Sequence, residues 1–565
     1  MALKRENILI GEMLVKGGVI TSSQLEEGLK EQKKTGDFIC TTLVKLGFAS
    51  EEEVFNVLSR QLNIPYVRLK NKRIKPEVIK LVPAKFASYY KILPLEIKNN
   101  KLIIATSNPL DVRTLDDIGL ILEKEIEPVL SSEREIIEAI NKNYGVGADT
   151  LEKIIISSPS IVKLREKMEE VEDLEALSGE TSIIKFVDEL ILEALEKRAT
   201  DIHLEIYKNE FRVRFRIDGV LYPINVPKMI KYLYPAVVSR IKIMAGLDIA
   251  EHRLPQEGRI KIRKKDEELD LRVSVLPTIF GEAIQIRILS SKFFLELEKL
   301  GLSLQDLKLI EKEIKKSHGI IFVTGPTGAG KTTTLYAILS KINSTNIKII
   351  TIEDPVEYQL DGIIQLQILP KIGFSFASGL RHILRHDPDV IMVGEVRDLE
   401  TADIAIRSAL TGHLVFSTIH TNDAPSAITR LLDIGIEPYL IASSLECVIA
   451  QRLVRKVCPF CKKKITLPKE VFSYLKIEEE KGDFFKGEGC ENCHFTGYQG
   501  RTGIYEIMLV NESIRRLILK KASSEEIKKE AITSGMHTLF QDGMRKVFKG
   551  ITTLEEVIRV TQPSD

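Results

Sequence analysis

The segment with the clearest chemical meaning is a glycine-rich loop between an apolar stretch and a helix-forming stretch. The run Ile320–Val323 predicts a buried strand, and the loop after it contains Gly325, Pro326, Thr327, Gly328, Ala329, Gly330, Lys331, Thr332 and Thr333. Glycines let the main chain turn tightly and aim its N–H groups at phosphate oxygens, and the following helix directs its positive end at the same anion. Lys331 suits the β- and γ-phosphates, and the Thr332 hydroxyl suits Mg²⁺. An ordinary turn with a surface lysine is the alternative, and the complete spacing favours a nucleoside triphosphate site.

Three further segments place ionisable side chains beside predicted strands. Glu353 and Glu395 each come at the end of an apolar strand, His420 follows a third strand, and His413 lies in the loop before that third strand. Ligands of open parallel sheets bind at the carboxyl ends of the strands. We therefore predict that Glu353 and Glu395 position Mg²⁺ and water, with their division of labour open, and that both histidines approach the γ-phosphate. Each residue alone is more often a turn former or a satisfied core group, whereas the segments in this order favour catalysis.

Composition sets the broad class of the protein. The 565 residues suggest roughly three or four domains. The 81 basic and 80 acidic residues nearly cancel, aromatic residues make up 6% and tryptophan is absent, which argues against a nucleic-acid partner. No signal-peptide core is visible, and the best candidate for a membrane span, residues 439–453, is interrupted by polar and charged residues, so we interpret it as a packed helix. The composition predicts a cytoplasmic protein without direct membrane insertion.

Several domains follow one another along the chain. Near the N-terminus, two copies of a short helix, a glycine-containing turn and a capped helix lie 29 residues apart, with Thr21 and Ser50 as the predicted N-caps. Strands are predicted at 101–106 and 126–130, and a helix at 132–143. The predicted divisions are an N-terminal domain with this repeat (1–145), a linker containing a helix (146–180), an α+β domain with period-two strands (181–290), a charged connecting helix (291–317), a nucleotide-binding core (318–455), a four-cysteine insert (456–500) and a helical C-terminal part (501–565). The alternative for the linker is an amphipathic helix packed on a neighbouring domain.

Taken together, these motifs resemble the secretion-ATPase superfamily, the hexameric motors of type II secretion and type IV pili. The matching segments are the phosphate loop and residues 352–357, 387–398, 412–423, 201–203, 214–219 and 250–259. The resemblance implies a multidomain α/β fold in which a RecA-like P-loop NTPase domain, with a zinc-binding insert, follows an α+β PAS-like domain and an N-terminal domain made of a helical repeat and an α/β part. It also implies a homohexameric, Mg²⁺-dependent enzyme that hydrolyses ATP.

The resemblance extends to a biological role. It implies that ATP hydrolysis powers the assembly of type IV pili or of type II secretion pseudopili, and the cysteine pairs and the long N-terminal region resemble assembly motors more than retraction motors. The implied partners are an inner-membrane platform protein and a membrane-anchored adaptor, which would hold the cytoplasmic protein at the inner face of the cytoplasmic membrane. In this family the second domain also supplies arginines to a neighbouring subunit's γ-phosphate. The candidates here are Arg214, Arg216, Arg253 and Arg259; a solvated strand face is the alternative for most of them.

The cysteines form a separate motif. Cys458 and Cys461 make one two-residue knuckle, Cys490 and Cys493 make another, and 28 residues separate the two. Paired soft ligands at this spacing fit tetrahedral Zn²⁺ in a closed structural site. Two disulfides are the alternative, and they conflict with a cytoplasmic ATPase. The remaining thiols, Cys40 and Cys447, are predicted to be core residues.

Three alternatives concern ligands and activity. The N-terminal repeat resembles a module that binds cyclic di-GMP in some relatives, but its two Arg-Leu-Gly motifs are replaced by residues 9–11 and 38–40, which lack both arginines. This change argues against cyclic di-GMP binding, and we hypothesise that the repeat docks an inner-membrane partner. A RecA-like motor that translocates nucleic acid is the alternative function, and the balanced charge argues against it. A scaffold that binds ATP without hydrolysis is the third possibility.

Overall fold

The computed structural model describes residues 10–35, 39–69, 72–109, 124–145, 181–208, 210–227, 230–264, 267–289, 296–467 and 483–561, with four isolated positions between 115 and 122. The chain divides into two compact units, Met1–Leu289 and Ser290–Asp565. The predicted linker and its helix, 146–180, lie outside the described residues. Within the described ranges, no helix combines the length and the apolar character that a membrane span requires.

The first unit contains a helical part, a small sheet and a larger sheet. Its elements in chain order are α1 (Ser22–Thr35), α2 (Ile39–Lys45), α3 (Glu51–Leu62), α4 (Pro76–Ile79), α5 (Ala84–Tyr90), β1 (Ile92–Lys98), β2 (Lys101–Thr106), β3 (Glu125–Leu130), α6 (Glu133–Tyr144), α7 (Thr181–Glu196), β4 (Ala199–Ile206), β5 (Phe211–Ile217), β6 (Val220–Ile224), α8 (Ile230–Ala245), β7 (Gln256–Lys264), β8 (Glu267–Thr278) and β9 (Gly281–Leu289).

The helical repeat has the predicted form in both copies. The hydroxyl of Ser50 accepts a hydrogen bond from the Glu53 main-chain N–H at 3.3 Å, and the Glu53 carboxylate accepts from the Ser50 N–H at 2.9 Å. Thr21 accepts from the N–H of Gln24 at 3.3 Å in the same way. Both predicted N-caps are therefore confirmed, because each hydroxyl satisfies an N–H that the first helical turn leaves unpaired. The following sheet has the order β1-β2-β3, and its first strand was not predicted.

The larger sheet of the first unit is antiparallel, with the order β6-β5-β4-β9-β8-β7. Its apolar residues form one core with those of α7 and α8, which cover one face of the sheet. Alternate residues of β5, β7, β8 and β9 are polar or charged and point to the opposite face, as the period-two pattern predicts. The structure therefore confirms an α+β domain here.

The second unit is built around a seven-stranded sheet. Its elements in chain order are α9 (Leu304–Glu313), β10 (Gly319–Thr324), α10 (Lys331–Ile342), β11 (Ile349–Glu353), β12 (Ile364–Gln367), α11 (Phe376–Ile383), β13 (Val390–Val393), α12 (Leu399–Leu410), β14 (Leu414–Ile419), α13 (Pro425–Ile434), α14 (Pro438–Ser444), β15 (Leu445–Val457), β16 (Lys462–Ile465), β17 (Phe484–Gly487), β18 (Tyr498–Leu509), α15 (Glu512–Leu519), α16 (Ser524–Thr533), α17 (Leu539–Phe548) and α18 (Leu554–Val560).

The strand order of this sheet is β12-β11-β13-β14-β10-β15-β18. The first six strands run parallel, and β18 pairs antiparallel with β15. Consecutive residues of β10 enter two different cores: Ile320 and Phe322 belong to one, and Ile321 and Val323 to the other. The strand is apolar throughout because a parallel sheet is covered on both faces.

Three predicted elements differ from the structure. The run 439–453 is not one packed helix, because α14 ends at Ser444 and the chain continues as β15, whose β-branched residues pair with strands on both sides. The C-terminal part begins with β18 rather than with a helix. In the expected connecting helix, Gly301 takes a left-handed φ of 93°, and Ser303 caps a new helix, so within the described residues 296–317 only α9 forms an α-helix.

Candidate active site

The phosphate loop lies where the sequence predicts it, between β10 and α10. Gly325 has a φ of 150°, and a Cβ atom placed on it would stand 2.6 Å from the carbonyl oxygen of Gln451 on β15. Gly330, with a φ of 87°, is the residue that precedes α10. Only glycine accommodates this close approach and this left-handed turn without strain. Thr332 and Thr333 are half-buried in the first turn of the helix.

The ammonium group of Lys331 rests on the loop itself. Its Nζ donates to the carbonyl oxygens of Gly325 at 2.8 Å and Pro326 at 3.1 Å. Burial lowers the pKa of Lys331, the carboxylate of Glu395 opposes that effect, and Arg452 adds to it. The amine therefore lies in a site that favours an incoming anion, since a phosphate replaces carbonyl dipoles with full negative charge.

Glu395 is the predicted carboxylate that the structure places at this loop. It follows β13, its side chain is 12% exposed, and its Oε1 lies 2.5 Å from Arg397 Nη2. The His420 Nε2 lies 3.5 Å from Glu395 Oε2. Burial lowers the pKa of His420, and Lys331 lowers it further, so the imidazole is neutral at neutral pH. Lys331, Glu395 and His420 are thus brought together at one edge of the sheet.

His413 does not belong to this group, and the prediction that it approaches the γ-phosphate is wrong. Its carbonyl oxygen accepts from the N–H of Gly319, the first residue of β10. Since β10 and β14 are parallel, His413 lies at the amino end of the sheet, about 16 Å of strand away from the phosphate loop. Its Nδ1 instead lies 3.0 Å from the Ser408 carbonyl oxygen.

Glu353 lies at the predicted strand end, but its side chain is enclosed. The residue is 2% exposed. Its carboxylate accepts hydrogen bonds from Thr351 at 2.6 Å, from Gln365 at 3.2 Å and from the Tyr336 hydroxyl. Both carboxylate oxygens of Glu353 are therefore occupied by donors inside the protein, whereas those of Glu395 face the exposed side chains of Arg397 and His420.

Two residues that support the phosphate loop were not predicted as part of the site. Gln451 accepts from the Thr334 hydroxyl at 2.7 Å, so it holds the helix after the loop. Arg452 donates to the carbonyl oxygen of Asn422 at 2.6 Å, next to the segment that carries His420. In the sequence, these two residues are an adjacent polar pair within the apolar run 439–453. If that run is interpreted as a helix, the pair has no evident relation to the phosphate loop.

The predicted arginines lie in the first unit. Arg216 and Arg259 stand at the two ends of a row across the polar face of the larger sheet, in the register Arg216, Asp201, Arg287, Arg272 and Arg259. Arg214 lies on the same face and pairs with Glu205 at 2.6 Å. Arg253 lies in the loop before β7, with its side chain 88% exposed and 3.0 Å from Glu251. Arg272 and Arg287 were not predicted as candidates, because strand pairing is what places them in this row.

The four predicted metal ligands converge. The Sγ atoms of Cys458, Cys461, Cys490 and Cys493 all lie within 4.8 Å of one another. The individual separations of 3.6 Å for Cys458 and Cys490 and 3.8 Å for Cys461 and Cys493 match the edges of about 3.8 Å in a tetrahedron with Zn–S bonds of about 2.3 Å. The main-chain N–H groups of Cys490 and Gly497 donate to the sulfur of Cys493. This cluster is compatible with Zn²⁺. Cys40 and Cys447 are buried, as predicted.

Comparisons with known proteins agree with this geometry. The family model described as type II/IV secretion system protein matches residues 176–559, and the model of the MshEN domain matches residues 62–150. The type IV pilus assembly ATPase PilB of Myxococcus xanthus is 43% identical over 561 residues, with 98% of this chain and 99% of that protein covered. The type II secretion system protein E of Xanthomonas campestris is 39% identical over 562 residues, with 98% of each chain covered.

A solved structure shares the fold of a large part of the chain. The ATPase DotB of Yersinia pseudotuberculosis superimposes with a TM-score of 0.51 at 21% identity, covering 67% of this chain and 94% of that one. This likeness concerns the fold alone. The family is shown by the family model, which covers more than half of the chain, and by the relatives that match nearly its whole length. The chain therefore belongs to the type II/IV secretion system protein family, and it is an enzyme that hydrolyses ATP.

Proposed function

We propose that this chain is a Mg²⁺-dependent ATPase that powers the assembly of a type IV pilus or of a type II secretion pseudopilus. The observation that carries the proposal is the convergence of Lys331, Glu395 and His420 on one phosphate loop. The relatives supply the process, since a type IV pilus assembly ATPase and a type II secretion system protein each match nearly the whole chain. The proposal therefore covers either system.

The residues at the loop have distinct roles in this proposal. The main-chain N–H groups of residues 325–331 bind the β- and γ-phosphates, and Lys331 moves from the loop carbonyls onto the γ-phosphate. Glu395 orients the attacking water, and the neutral imidazole of His420 donates or accepts a hydrogen bond beside it. The Thr332 hydroxyl and Glu395, the latter through water, would hold Mg²⁺, which neutralises charge on the phosphates when bound.

The active unit in this proposal is a homohexamer. Arg214, Arg216, Arg253 and Arg259 are the candidates for stabilising the γ-phosphate of a neighbouring subunit, since a guanidinium matches the dispersed charge of a transferring phosphoryl group. Arg253 fits this role best by exposure, because its side chain is 88% exposed and its ion pair is with Glu251 of the same loop. The domain that carries these arginines would be PAS-like.

Two further parts of the chain have structural or docking roles. The four-cysteine cluster binds Zn²⁺ and closes the insert between β15 and β18, because the metal joins two knuckles that are far apart in sequence. The N-terminal repeat docks a platform protein or a membrane-anchored adaptor, which places the cytoplasmic enzyme at the inner face of the membrane.

The proposal is tested by measuring the ATPase rate against protein concentration, with particle mass determined by light scattering on the same samples. A turnover per subunit that rises as hexamers form supports arginines acting between subunits. Full turnover from monomers contradicts that arrangement. An absence of Mg²⁺-dependent phosphate release under every condition contradicts the proposed activity.

A further inference from the structure

The buried carboxylate of Glu353 connects the phosphate-loop helix with the edge strand of the sheet. One of its donors, Tyr336, lies on α10, five positions after Lys331, and is 1% exposed. Burial, and then the hydrogen bond to Glu353, raise the pKa of Tyr336, so its hydroxyl stays protonated and remains the donor. The second donor, Gln365, lies on β12. One carboxylate therefore joins α10, β11 and β12.

The same network holds the segment between β11 and β12. The Tyr336 hydroxyl accepts from the N–H of Glu357 at 3.3 Å. Gln365 donates to the carbonyl oxygen of Tyr358 at 2.9 Å and accepts from the N–H of Leu360 at 2.7 Å. Each of these contacts uses a main-chain group, so the path of the segment depends on the two side chains.

Glu353 is also the main-chain neighbour of the residue before Glu395. β11 pairs with β13 in parallel, and the N–H of Gly394 donates to the carbonyl oxygen of Ile352 at 2.8 Å. A Cβ atom on Gly394 would lie 3.3 Å from Cα of Glu353. A displacement of Glu353 would therefore reach Glu395 through directly packed main chain, since this hydrogen bond and this close approach join the two strand ends.

We propose that Tyr336 and Gln365 are positioning residues for ATP hydrolysis, and that they act through Glu353 to set the location of Glu395 relative to the phosphate-loop helix. Tyr336 ties Glu353 to the helix that begins with Lys331, and Gln365 ties it to the neighbouring strand. Glu353 itself does not touch the nucleotide or its metal. This inference rests on the proposed roles of Lys331 and Glu395.

The test compares steady-state ATPase kinetics of Tyr336→Phe, Glu353→Gln and the double variant, with thermal melting and the binding of a non-hydrolysable ATP analogue on the same preparations. Tyr336→Phe keeps the ring and removes only the hydroxyl. We expect kcat to fall at least about tenfold, with KM for ATP and the analogue Kd within about threefold, because a displaced water-orienting group lowers the rate more than it weakens binding. The double variant should be no slower than Glu353→Gln, because both substitutions disrupt the same hydrogen bond between Tyr336 and Glu353.

Two further variants make the test independent of folding. Gln365→Met removes the donor that lies on β12, a half-buried strand, and should show the same fall in kcat with an unchanged KM. Tyr498→Phe is the matched control: it removes another buried tyrosine hydroxyl of the same sheet, which lies 3.0 Å from the Thr553 hydroxyl, and it should leave kcat unchanged.

The outcomes separate the inference from the proposed function. If Tyr336→Phe behaves like Tyr498→Phe while Glu353→Gln abolishes turnover, Glu353 contacts the reacting groups and the inference is wrong. A fall in kcat fully accounted for by unfolding at the assay temperature also overturns it. A wild-type protein without turnover, or a Lys331→Ala variant with wild-type turnover, contradicts the proposed function instead.

Discussion

A carboxylate oxygen of Glu506 accepts a hydrogen bond from the main-chain N–H of Ala424 at 2.8 Å, so a side chain of the antiparallel strand β18 caps the helix that follows the His420 segment. The other oxygen lies 3.4 Å from the N–H of Leu539, at the start of α17. Glu506 is 1% exposed. One buried carboxyl group therefore links the histidine segment to the C-terminal helices.

This arrangement predicts a pH-dependent stability. Burial raises the pKa of Glu506 to about 7, above the value of about 4.3 for an unfolded chain. The folded state then binds an extra proton between these two values, so the stability contributed by this group is present at low pH and is lost as the pH rises towards 7, by about 3 kcal/mol. Replacement by neutral glutamine removes this dependence.

Calorimetry of the full chain between pH 5 and pH 8 checks the prediction. The difference in Tm between Glu506→Gln and the wild type should become more positive by about 5 to 10 °C across that range. Glu525→Gln, at an exposed glutamate of α16, serves as the control and should show little change. A constant difference between Glu506→Gln and the wild type would mean that Glu506 is ionised throughout.

Removal of the Lys331 amine should abolish turnover. Lys331→Ala removes the ammonium group that is proposed to bind the γ-phosphate and keeps the main-chain N–H, and we expect kcat/KM to fall at least about a hundredfold. The matched control is Lys341→Ala on the same helix, where the lysine is exposed and pairs with Glu311 at 3.0 Å; its rate should match the wild type. Phosphate release under saturating ATP distinguishes the two variants.

Mixed hexamers test whether an arginine acts between subunits. Arg253→Ala and Lys331→Ala should each be inactive alone, because one lacks the arginine and the other the phosphate-binding amine. In a mixture, a subunit with an intact loop can sit beside a subunit with an intact arginine, so activity should return in part. As a control, a chain that carries both substitutions replaces Lys331→Ala in the mixture. It supplies neither the arginine nor the amine, so it should restore no activity. If Lys331→Ala and the doubly substituted chain restored the same activity to Arg253→Ala, an arginine acting in trans would be contradicted.

The cysteine cluster should bind Zn²⁺ stoichiometrically. Atomic absorption should find about one zinc per chain in the wild type and little in Cys458→Ser or Cys493→Ser, because three thiolates do not close a tetrahedral structural site. Cys447→Ala, which removes a buried thiol outside the cluster, should keep its zinc. A chelator should lower the Tm of the wild type and leave that of Cys458→Ser unchanged. Zinc retained in both serine variants would contradict this ligand set.

Much of the site follows from local sequence patterns. The phosphate loop is recognisable because its glycines and Lys331 lie in one short contiguous segment. The strand before this segment is apolar on both faces. Glu395 and His420 were predicted at the same edge because each follows a parallel strand, and carboxyl ends of such strands meet. The cysteine pairs were found because two-residue spacing already sets the geometry of a knuckle.

Other features depend on pairing between distant segments. The direction of β14 places His420 at the loop and His413 at the opposite end, although both flank the same strand. The interruption of an apolar run by Gln451 and Arg452 gives no sign that β15 lies beside the phosphate loop. The row that joins Arg259 to Arg216 exists only through the register of five strands.

Glu353 illustrates the difference between what the sequence determines and what the tertiary structure determines. The sequence by itself determined that a carboxylate stands at the end of an apolar strand near a nucleotide site, since strand length and hydrophobicity are local properties. The tertiary structure alone decided what that carboxylate faces, because its partners Tyr336 and Gln365 come from a helix 17 residues earlier and a strand 12 residues later. Burial with three donors makes Glu353 a link between elements, whereas Glu395, one strand away, faces the phosphate loop.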